Sequence, residues 1–307
     1  MSKTTKNKLL VIIGPTASGK SNLAIKLAKK YHGEIISADS RQVYKNLDIG
    51  SGKVTKKEQK MVKHHLLDIV SPKTQFNVAS YQKLATKTIK SIWNQKKLPI
   101  LCGGSPLYII SVIEGWQFPK IKPNKNLRKQ LEKKSTENLY KKLQKLDKKR
   151  AATIDRNNRR RLIRALEIIM TSKSHVPPLQ KKPLNADILI LGIQKDKKEL
   201  KKLIENRLEK RLKRGLIAEV KKLKKMGVSG ERLNALGLEY KYINLYLEDK
   251  ISFDEMKKIL LKRINDFSKR QITWFKKFPN VIWITNYQQA NQWVVKWLKN
   301  PTPSPSN

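Results

Sequence analysis

The chain contains 307 residues, of which 68 are Lys or Arg and 24 are Asp or Glu, and its formal net charge is +44. This length allows one large domain or two modest ones. The cationic excess extends along nearly the whole chain and favours polyanionic partners such as nucleic acids, although lysine-rich codon usage and solvated helix faces produce the same balance. Repulsion between like-charged copies favours a monomer.

Several protein classes are excluded by what the sequence lacks. Its one cysteine, Cys102, rules out an internal disulfide and any Cys-x-x-Cys metal site, and its apolar surroundings predict a buried thiol. No apolar run approaches membrane-spanning length, and the polar residues 1–8 do not resemble a signal peptide. We therefore expect a cytoplasmic protein that does not bind membranes.

The first predicted strand, residues 9–13, leads into a match to the phosphate-loop pattern Gly-x-x-x-x-Gly-Lys-Ser/Thr. The residues of this match are Gly14, Pro15, Thr16, Ala17, Ser18, Gly19, Lys20 and Ser21. A helix-like stretch, residues 21–30, follows, so the motif has the strand-turn-helix setting that it requires. Backbone N–H groups, the helix N-terminus and the Lys20 charge are expected to bind a di- or triphosphate, and the Ser21 hydroxyl can hold Mg²⁺.

Polar side chains also follow the next two predicted strands. Asp39 comes directly after residues 34–38, and Ser105 follows residues 98–102 and a Gly-Gly pair. Because the carboxyl ends of parallel strands face the ligand crevice, both side chains are expected beside the phosphate loop. Asp39 either acts there as a base or metal ligand, or only shapes a turn or caps a helix. Ser105 can donate a hydrogen bond to a substrate.

Other polar residues argue against ATP hydrolysis and against a histidine metal site. No later predicted strand ends in the acidic residue that ATP-hydrolysing phosphate-loop proteins use to hold Mg²⁺, since Asp187 precedes its strand, residues 188–193. The adjacent His64 and His65 point to different sides of a helix or strand, which favours structural roles over a shared metal.

From residue 115 onward, charged segments with helical spacing interrupt the alternation of strands and helices. Amphipathic helices are predicted at 127–132, 136–146 and 158–170, and the basic stretch 155–164 suits a phosphate backbone or a solvated helix face. The predicted fold is α/β: a P-loop NTPase-like parallel sheet flanked by helices, with an inserted all-helical domain. The predicted parts are a first core segment, the insertion, a second core segment with a helical C-terminal region, and a disordered tail: residues 1–114, 115–185, 186–299 and 300–307.

The C-terminal third is predicted to be mainly helical. Its helices fall at 197–215, 216–226, 238–246 and 253–275, and a last strand falls at 281–285. Residues 269–278 interleave cations with aromatic side chains. This pattern suits unpaired bases and phosphates, and it equally suits an amphipathic helix in which Trp274 and Phe275 pack against a core.

Six segments, found in this order, together resemble the bacterial tRNA dimethylallyltransferases: residues 14–21, 39–44, 64–68, 103–108, 161–167 and 269–275. The similarity extends over nearly the entire chain. It implies transfer of a dimethylallyl group from dimethylallyl diphosphate to N6 of the adenosine directly 3′ of a tRNA anticodon, with release of diphosphate and with Mg²⁺ as cofactor. The phosphate loop, residues 14–21, would then bind an isoprenoid diphosphate instead of hydrolysing a nucleotide.

The resemblance also implies roles for individual residues. Asp39 would be the base for the N6 amino group, Ser105 would contact the adenosine where the family commonly has threonine, and Arg207 would contact the diphosphate. The inserted domain would bind tRNA. The implied contacts to the tRNA anticodon stem-loop are Asp39, Ser40, Arg41, Gln42, Ser105, Arg160, Arg161, Arg164, Lys269, Arg270, Gln271, Thr273, Trp274 and Lys276. The zinc finger of eukaryotic relatives is absent, which favours a bacterial enzyme.

Two other functions fit part of the sequence. A small-molecule kinase explains the first third equally well, with ATP in the loop and Asp39 deprotonating an acceptor hydroxyl. It leaves the basic insertion and residues 269–277 unexplained. An RNA-binding protein without enzymatic activity would keep the loop only as a regulatory or vestigial site.

Overall fold

The computed structural model describes residues 6–299. They form two compact units. The first combines the residues through Gly115 with those from Pro183 onward, and the second comprises Trp116–Lys182. The predicted insertion, residues 115–185, overlaps the second unit. The predicted disordered tail, residues 300–307, lies outside the described residues.

A parallel sheet forms the centre of the first unit. The described residues contain the strands β1 (Lys8–Ile13), β2 (Gly33–Ser37), β3 (His64–His65), β4 (Leu98–Gly103), β5 (Trp116–Gln117), β6 (Gln180–Lys181), β7 (Asp187–Ile193) and β8 (Val281–Ile284). Six of these strands form the sheet, in the order β3-β2-β4-β1-β7-β8, and all of its pairs are parallel. Residues 9–13 of β1 are fully buried, as expected for a continuous apolar strand with helices on both faces of its sheet.

The five strands predicted at 9–13, 34–38, 98–102, 188–193 and 281–285 are confirmed as β1, β2, β4, β7 and β8. β3 was outside the prediction because two residues are too few to show a period. Its histidines have structural partners: Nε2 of His65 lies 2.7 Å from Oε2 of Glu34, and Nδ1 of His64 lies 2.8 Å from the carbonyl oxygen of Val62. Across residues 6–299, no group of three His, Cys, Asp or Glu side chains could hold a metal ion.

Helices surround the sheet and make up most of the C-terminal third. They are α1 (Lys20–Lys30), α2 (Lys56–Met61), α3 (Val78–Asn94), α4 (Pro106–Ile113), α5 (Lys125–Glu132), α6 (Thr136–Leu146), α7 (Lys148–Thr153), α8 (Arg159–Ser172), α9 (Lys197–Lys213), α10 (Leu216–Lys225), α11 (Gly230–Leu236), α12 (Leu238–Leu247), α13 (Phe253–Phe275) and α14 (Tyr287–Lys299). The prediction at 253–275 is confirmed by α13. This helix begins with a capping box, in which the side chains of Ser252 and Glu255 each accept a backbone N–H of the other residue.

In the second unit, α5 to α8 enclose a small core of buried leucines, including Leu139, Leu143 and Leu162. Glu167 of α8 is fully buried, and its carboxylate is paired with the guanidinium groups of Arg128 and Arg164. The short strands β5 and β6 pair in antiparallel orientation. They differ from the prediction that this unit is all-helical. Two-residue strands leave no periodic signal in a sequence.

Among the residues that the structure describes, no helix is both long enough and apolar enough to cross a membrane.

Candidate active site

The phosphate loop connects β1 to the N-terminus of α1. Gly19 has a φ of 89°, a left-handed conformation that side chains disfavour, and α1 begins at the next residue, Lys20. The Lys20 ammonium donates to the carbonyl oxygen of Pro15 at 2.6 Å, so the side chain folds back over the loop. The pKa of Lys20 is lowered to about 8, mainly by burial and also by the nearby Arg207, whereas Cys102 and Asp39 act in the opposite direction.

Ser18 lies at the floor of this loop. Its side chain is buried, and its hydroxyl has no hydrogen-bond partner within residues 6–299. Buried hydroxyls are ordinarily paired, so an unpaired one in a phosphate loop indicates a site completed by a ligand or water.

Asp39 follows β2 and shapes the turn there. Its Oδ1 accepts the backbone N–H of Arg41 at 2.8 Å and, more weakly, that of Gln42 at 3.4 Å. The turn-forming role considered from the sequence is therefore present. It does not exclude chemistry, because Oδ2 has no hydrogen bond to any described residue and the side chain lines the cleft beside the phosphate loop.

Ser105 follows β4 and joins the ends of two neighbouring strands. Its Oγ accepts the backbone N–H of Ser40 at 3.0 Å, and its own N–H donates to the carbonyl oxygen of Ala38 at 3.1 Å. These bonds hold the segment after β2, including Asp39, against the segment after β4. Ser105 is therefore placed beside the predicted base but does not itself line the cleft.

Arg207 reaches the loop from α9, although it is 191 residues away from Thr16 in the chain. Its Nη1 donates to Oγ1 of Thr16 at 2.9 Å. Burial, followed by the neighbouring Arg211, lowers the pKa of Arg207 to about 10. The family resemblance was needed to select this residue, because nothing in the lysine-rich pattern of α9 distinguishes it.

Gln271 of α13 bridges two loops of the site. Its Oε1 accepts the backbone N–H of Thr16 at 2.8 Å, and its Nε2 donates to the carbonyl oxygen of Gly104 at 2.6 Å. The side chain is only 4% exposed. The resemblance implies a tRNA contact for Gln271, and the observed geometry gives it a bridging role between the phosphate loop and the loop after β4.

These groups surround one cleft of about 340 Å³. Of the predicted site residues, it brings together Thr16, Ala17, Ser18, Gly19, Lys20, Ser21, Asp39, Gln42, Arg207 and Gln271. Cys102 also lines it. The predicted buried thiol is confirmed, and burial raises its pKa to about 12, so the thiol stays protonated at neutral pH.

The remaining predicted tRNA contacts lie on surfaces of the two units. In the first unit, Ser40 and Arg41 are half-buried. The exposed ones are Lys269, Arg270, Thr273 and Trp274 on α13 and Lys276 directly after it. The two aromatic residues of this segment differ, since Phe275 is fully buried and Trp274 is 39% exposed.

In the second unit, the predicted tRNA contacts lie on α8. Arg160 and Arg161 are exposed. Arg164 is half-buried and donates to Oε2 of Glu167 at 2.5 Å and to the carbonyl oxygen of Ile121 at 3.0 Å. Its guanidinium group therefore has a structural role within this unit.

The sequence and the fold of the chain are similar to those of known proteins. A family model described as IPP transferase matches residues 42–278. The tRNA dimethylallyltransferase of Acetivibrio thermocellus is 41% identical over 302 residues, covering 95% of this chain and 96% of its own. The crystal structure of the full-length tRNA isopentenylpyrophosphate transferase from Bacillus halodurans has a TM-score of 0.72 at 35% identity, with 96% of each chain covered. A eukaryotic dimethylallyltransferase acting on tRNA gives a TM-score of 0.80 at 25% identity, covering 98% of this chain and 81% of that one.

The parallel sheet and the phosphate-loop sequence between β1 and α1 define an α/β protein of the P-loop type, and cations line its cleft. Its family follows from the comparisons, because the family model matches well over half of the chain. The chain belongs to the IPP transferase family. The resemblance based on the six segments is thereby confirmed, and so is the prediction that the protein is a prenyltransferase.

Proposed function

We propose that the protein transfers a dimethylallyl group from dimethylallyl diphosphate to the exocyclic N6 of the adenosine directly 3′ of a tRNA anticodon. The observation that supports this most directly is a single cleft in which Lys20 and Arg207 lie beside the carboxylate of Asp39. Similarity to a tRNA dimethylallyltransferase over 95% of the chain supports the choice of substrates.

The cationic side of the cleft is suited to the diphosphate. In the transfer, N6 attacks C1 of the dimethylallyl group, the C1–O bond breaks, and its electron pair leaves with the diphosphate. Negative charge therefore develops on the leaving group. Lys20, Arg207 and the loop N–H groups stabilise that charge where water is largely excluded, which lowers the barrier.

The carboxylate side is suited to the amine. N6 must lose one proton as its new bond to carbon forms, and Asp39 can accept it. The other carboxylate that lines the cleft, Glu58, accepts the backbone N–H of Thr55 in the cap of α2. Oδ1 already holds the turn by accepting the N–H of Arg41, so Oδ2 is the oxygen available to the amine. The bond from Ser105 Oγ to the N–H of Ser40 keeps this turn in place.

The residues present fit a magnesium ion. Ser21 lines the cleft at the start of α1, and so does Ser18, whose buried hydroxyl has no hydrogen-bond partner within residues 6–299. Mg²⁺ commonly takes only one or two oxygens from the protein and completes its shell with phosphate oxygens and water. When bound, it would neutralise charge on the diphosphate and help it to leave.

The exposed cations on α13 in one unit and on α8 in the other supply charge for the tRNA backbone. The target adenine must leave its stack to reach a cleft of this kind, which favours the single-stranded anticodon loop as substrate. Neither the kinase nor the non-enzymatic RNA-binding protein is favoured, because the chain is similar to tRNA dimethylallyltransferases over almost its entire length.

The test is transfer of radiolabel from dimethylallyl diphosphate to an unmodified anticodon stem-loop in the presence of Mg²⁺. We expect label on the RNA, and we expect it to disappear when the adenosine 3′ of the anticodon is replaced by guanosine. A parallel reaction with labelled ATP and small acceptors should show no phosphoryl transfer. Unlabelled RNA together with ATP consumption would contradict the proposal.

A further inference from the structure

The loop of residues 48–53 forms one wall of the cleft through Ser51 and Gly52. Gly52 has a φ of 62°, and a Cβ there would lie 2.0 Å from Nη2 of both Arg207 and Arg211. The backbone of the loop is therefore packed directly against two guanidinium groups, and only glycine allows this approach. The position of this loop limits where Arg207 can place its charge.

The two arginines differ in their charge partners. Arg211 donates to Oε1 of Glu239 at 2.9 Å, and its charge is balanced by that pair. Arg207 forms no ion pair with an acidic side chain within residues 6–299, and it lines the cleft. Arg207 is therefore the cation available to an anionic ligand.

A single carboxylate holds the loop from the side away from the cleft. Oε2 of Glu219, on α10, accepts the backbone N–H groups of Asp48 at 2.9 Å and Ile49 at 2.7 Å. Oε1 accepts the N–H of Gly50 at 2.9 Å and the hydroxyl of Tyr240 at 3.0 Å. Three successive backbone N–H groups directed at one carboxylate are a strong, charge-assisted anchor.

The Lys53 side chain ties the end of the loop to its start and to a neighbouring segment. The Lys53 ammonium lies 2.6 Å from Oδ1 of Asp48 and 2.6 Å from Oδ1 of Asp68, and its side chain is only 2% exposed. It also donates to the carbonyl oxygen of Tyr44 at 3.1 Å. The Gln42 amide also donates to the carbonyl oxygen of Gly52 at 3.2 Å, so the Glu219 anchor is one of several contacts that set the position of the residues beside Arg207.

We propose that Glu219 is a positioning residue for the diphosphate subsite: by anchoring residues 48–50, it presses Gly52 against Arg207 and keeps that guanidinium directed at the phosphate loop. This inference rests on the proposed function, since it concerns the same cleft. Glu219 has no hydrogen bond to Arg207 or to the phosphate loop. It therefore acts on Arg207 through the groups that it does bind, which are the backbone of residues 48–50 and the Tyr240 hydroxyl.

The test uses Glu219→Gln, which keeps the size of the side chain but directs an NH₂ group at N–H donors. Inorganic diphosphate is titrated calorimetrically, and transfer to the stem-loop is measured in parallel. We expect diphosphate affinity to fall about tenfold and the KM for dimethylallyl diphosphate to rise by a similar factor. The stem-loop affinity should change less than about twofold, because the RNA surface is untouched. The kcat should fall as well, because Arg207 also stabilises the charge that develops on the leaving diphosphate.

Glu209→Gln is the matched control. Glu209 lies on α9, and its Oε1 is 2.6 Å from the Lys257 ammonium and does not hold the loop. Gly52→Ala is the second variant, and it should reproduce the selective loss of diphosphate affinity by displacing the guanidinium groups. Unchanged diphosphate affinity in the folded Glu219→Gln protein would overturn the inference. So would a parallel loss of diphosphate affinity, stem-loop affinity and melting temperature, which indicates a purely structural role. Failure of the proposed function is distinguishable, because the wild-type protein would then bind diphosphate without labelling RNA.

Discussion

The Lys20 ammonium is held in the phosphate loop at a point where it is poorly solvated. Burial lowers its pKa to about 8, so the ammonium and the free amine coexist near that pH in the unliganded protein. An incoming diphosphate favours the ammonium and raises the pKa, so binding takes up a proton. The affinity for diphosphate is therefore highest below about pH 8 and decreases as the pH rises above that value.

We predict that the affinity for inorganic diphosphate falls about tenfold between about pH 7 and about pH 9, as expected for uptake of one proton. Calorimetry in buffers with different ionisation enthalpies measures that uptake directly. Lys20→Arg is the control, because a guanidinium stays charged over this range and should remove this contribution. Equal pH dependence in the wild-type and Lys20→Arg proteins would contradict this account of Lys20.

Gln271 and Lys269 are near each other on α13, but alanine substitutions at the two positions are expected to have different effects. Gln271→Ala leaves the N–H of Thr16 and the carbonyl of Gly104 without their partner, which should cost about 2 kcal/mol or more of folding stability and slow transfer. Lys269→Ala removes an exposed charge and should weaken stem-loop binding with an unchanged melting temperature. Thermal unfolding and filter binding separate the two. A Gln271→Ala protein of normal stability and weak stem-loop binding would instead support a direct tRNA contact.

At the scale of elements, α13 has a buried face and an exposed face that differ in composition. Its buried face packs Met256, Leu260 and Phe275 and directs Gln271 into the site. Its exposed face carries the cations and Trp274 near the C-terminal end. The packing alternative is confirmed for Phe275 but not for the exposed Trp274, and nucleic-acid binding by the exposed face stays a prediction.

We predict that replacing Lys269, Arg270 and Lys276 together by alanine reduces the salt dependence of stem-loop binding. Each lost phosphate contact should lower the slope of log K against log[salt] by about 0.7 to 0.9. The matched control replaces the exposed Lys29 and Lys30, at the far end of α1 from the phosphate loop. An unchanged slope in the triple variant would show that this face does not bind the RNA backbone.

The elements that could be predicted are those with a repeating pattern. The buried strands appear as short apolar runs, and α13 shows helical spacing over its whole length. β5 and β6 contain two residues each, and α11 begins at a glycine, so none of them leaves such a pattern. Asp39 and Ser105 could be found because each directly follows a buried strand, where parallel sheets place their ligands.

The rest of the site depends on contacts that no local pattern encodes. Glu219 lies 171 residues from Asp48 in the chain, and within α10 it looks like one more residue of a solvated helix face. Arg211 and Glu239 could not be selected from the sequence either, because lysine-rich helices contain many charged residues in similar patterns. Resemblance to a family selected Arg207, whereas only the three-dimensional contacts reveal the residues that hold it.

For the whole molecule, the formal net charge of +44 is the dominant feature. Copies of such a chain repel one another at moderate salt, so we predict a monomer. Light scattering after size exclusion should give a mass of 35.6 kDa for the free protein. A two-chain mass that persists on dilution would contradict this prediction and would require an interface strong enough to overcome the repulsion.

The central claim is that this cleft transfers a dimethylallyl group with Asp39 as the base. Asp39→Asn tests it most directly, because the amide oxygen can still accept the N–H of Arg41 and preserve the turn, while the side chain can no longer take a proton. Single-turnover transfer from labelled dimethylallyl diphosphate to the stem-loop should slow by about 10² to 10⁴. The affinities for the stem-loop and for diphosphate should stay within about twofold of wild type. Transfer at the wild-type rate would remove Asp39 from the mechanism and contradict the account.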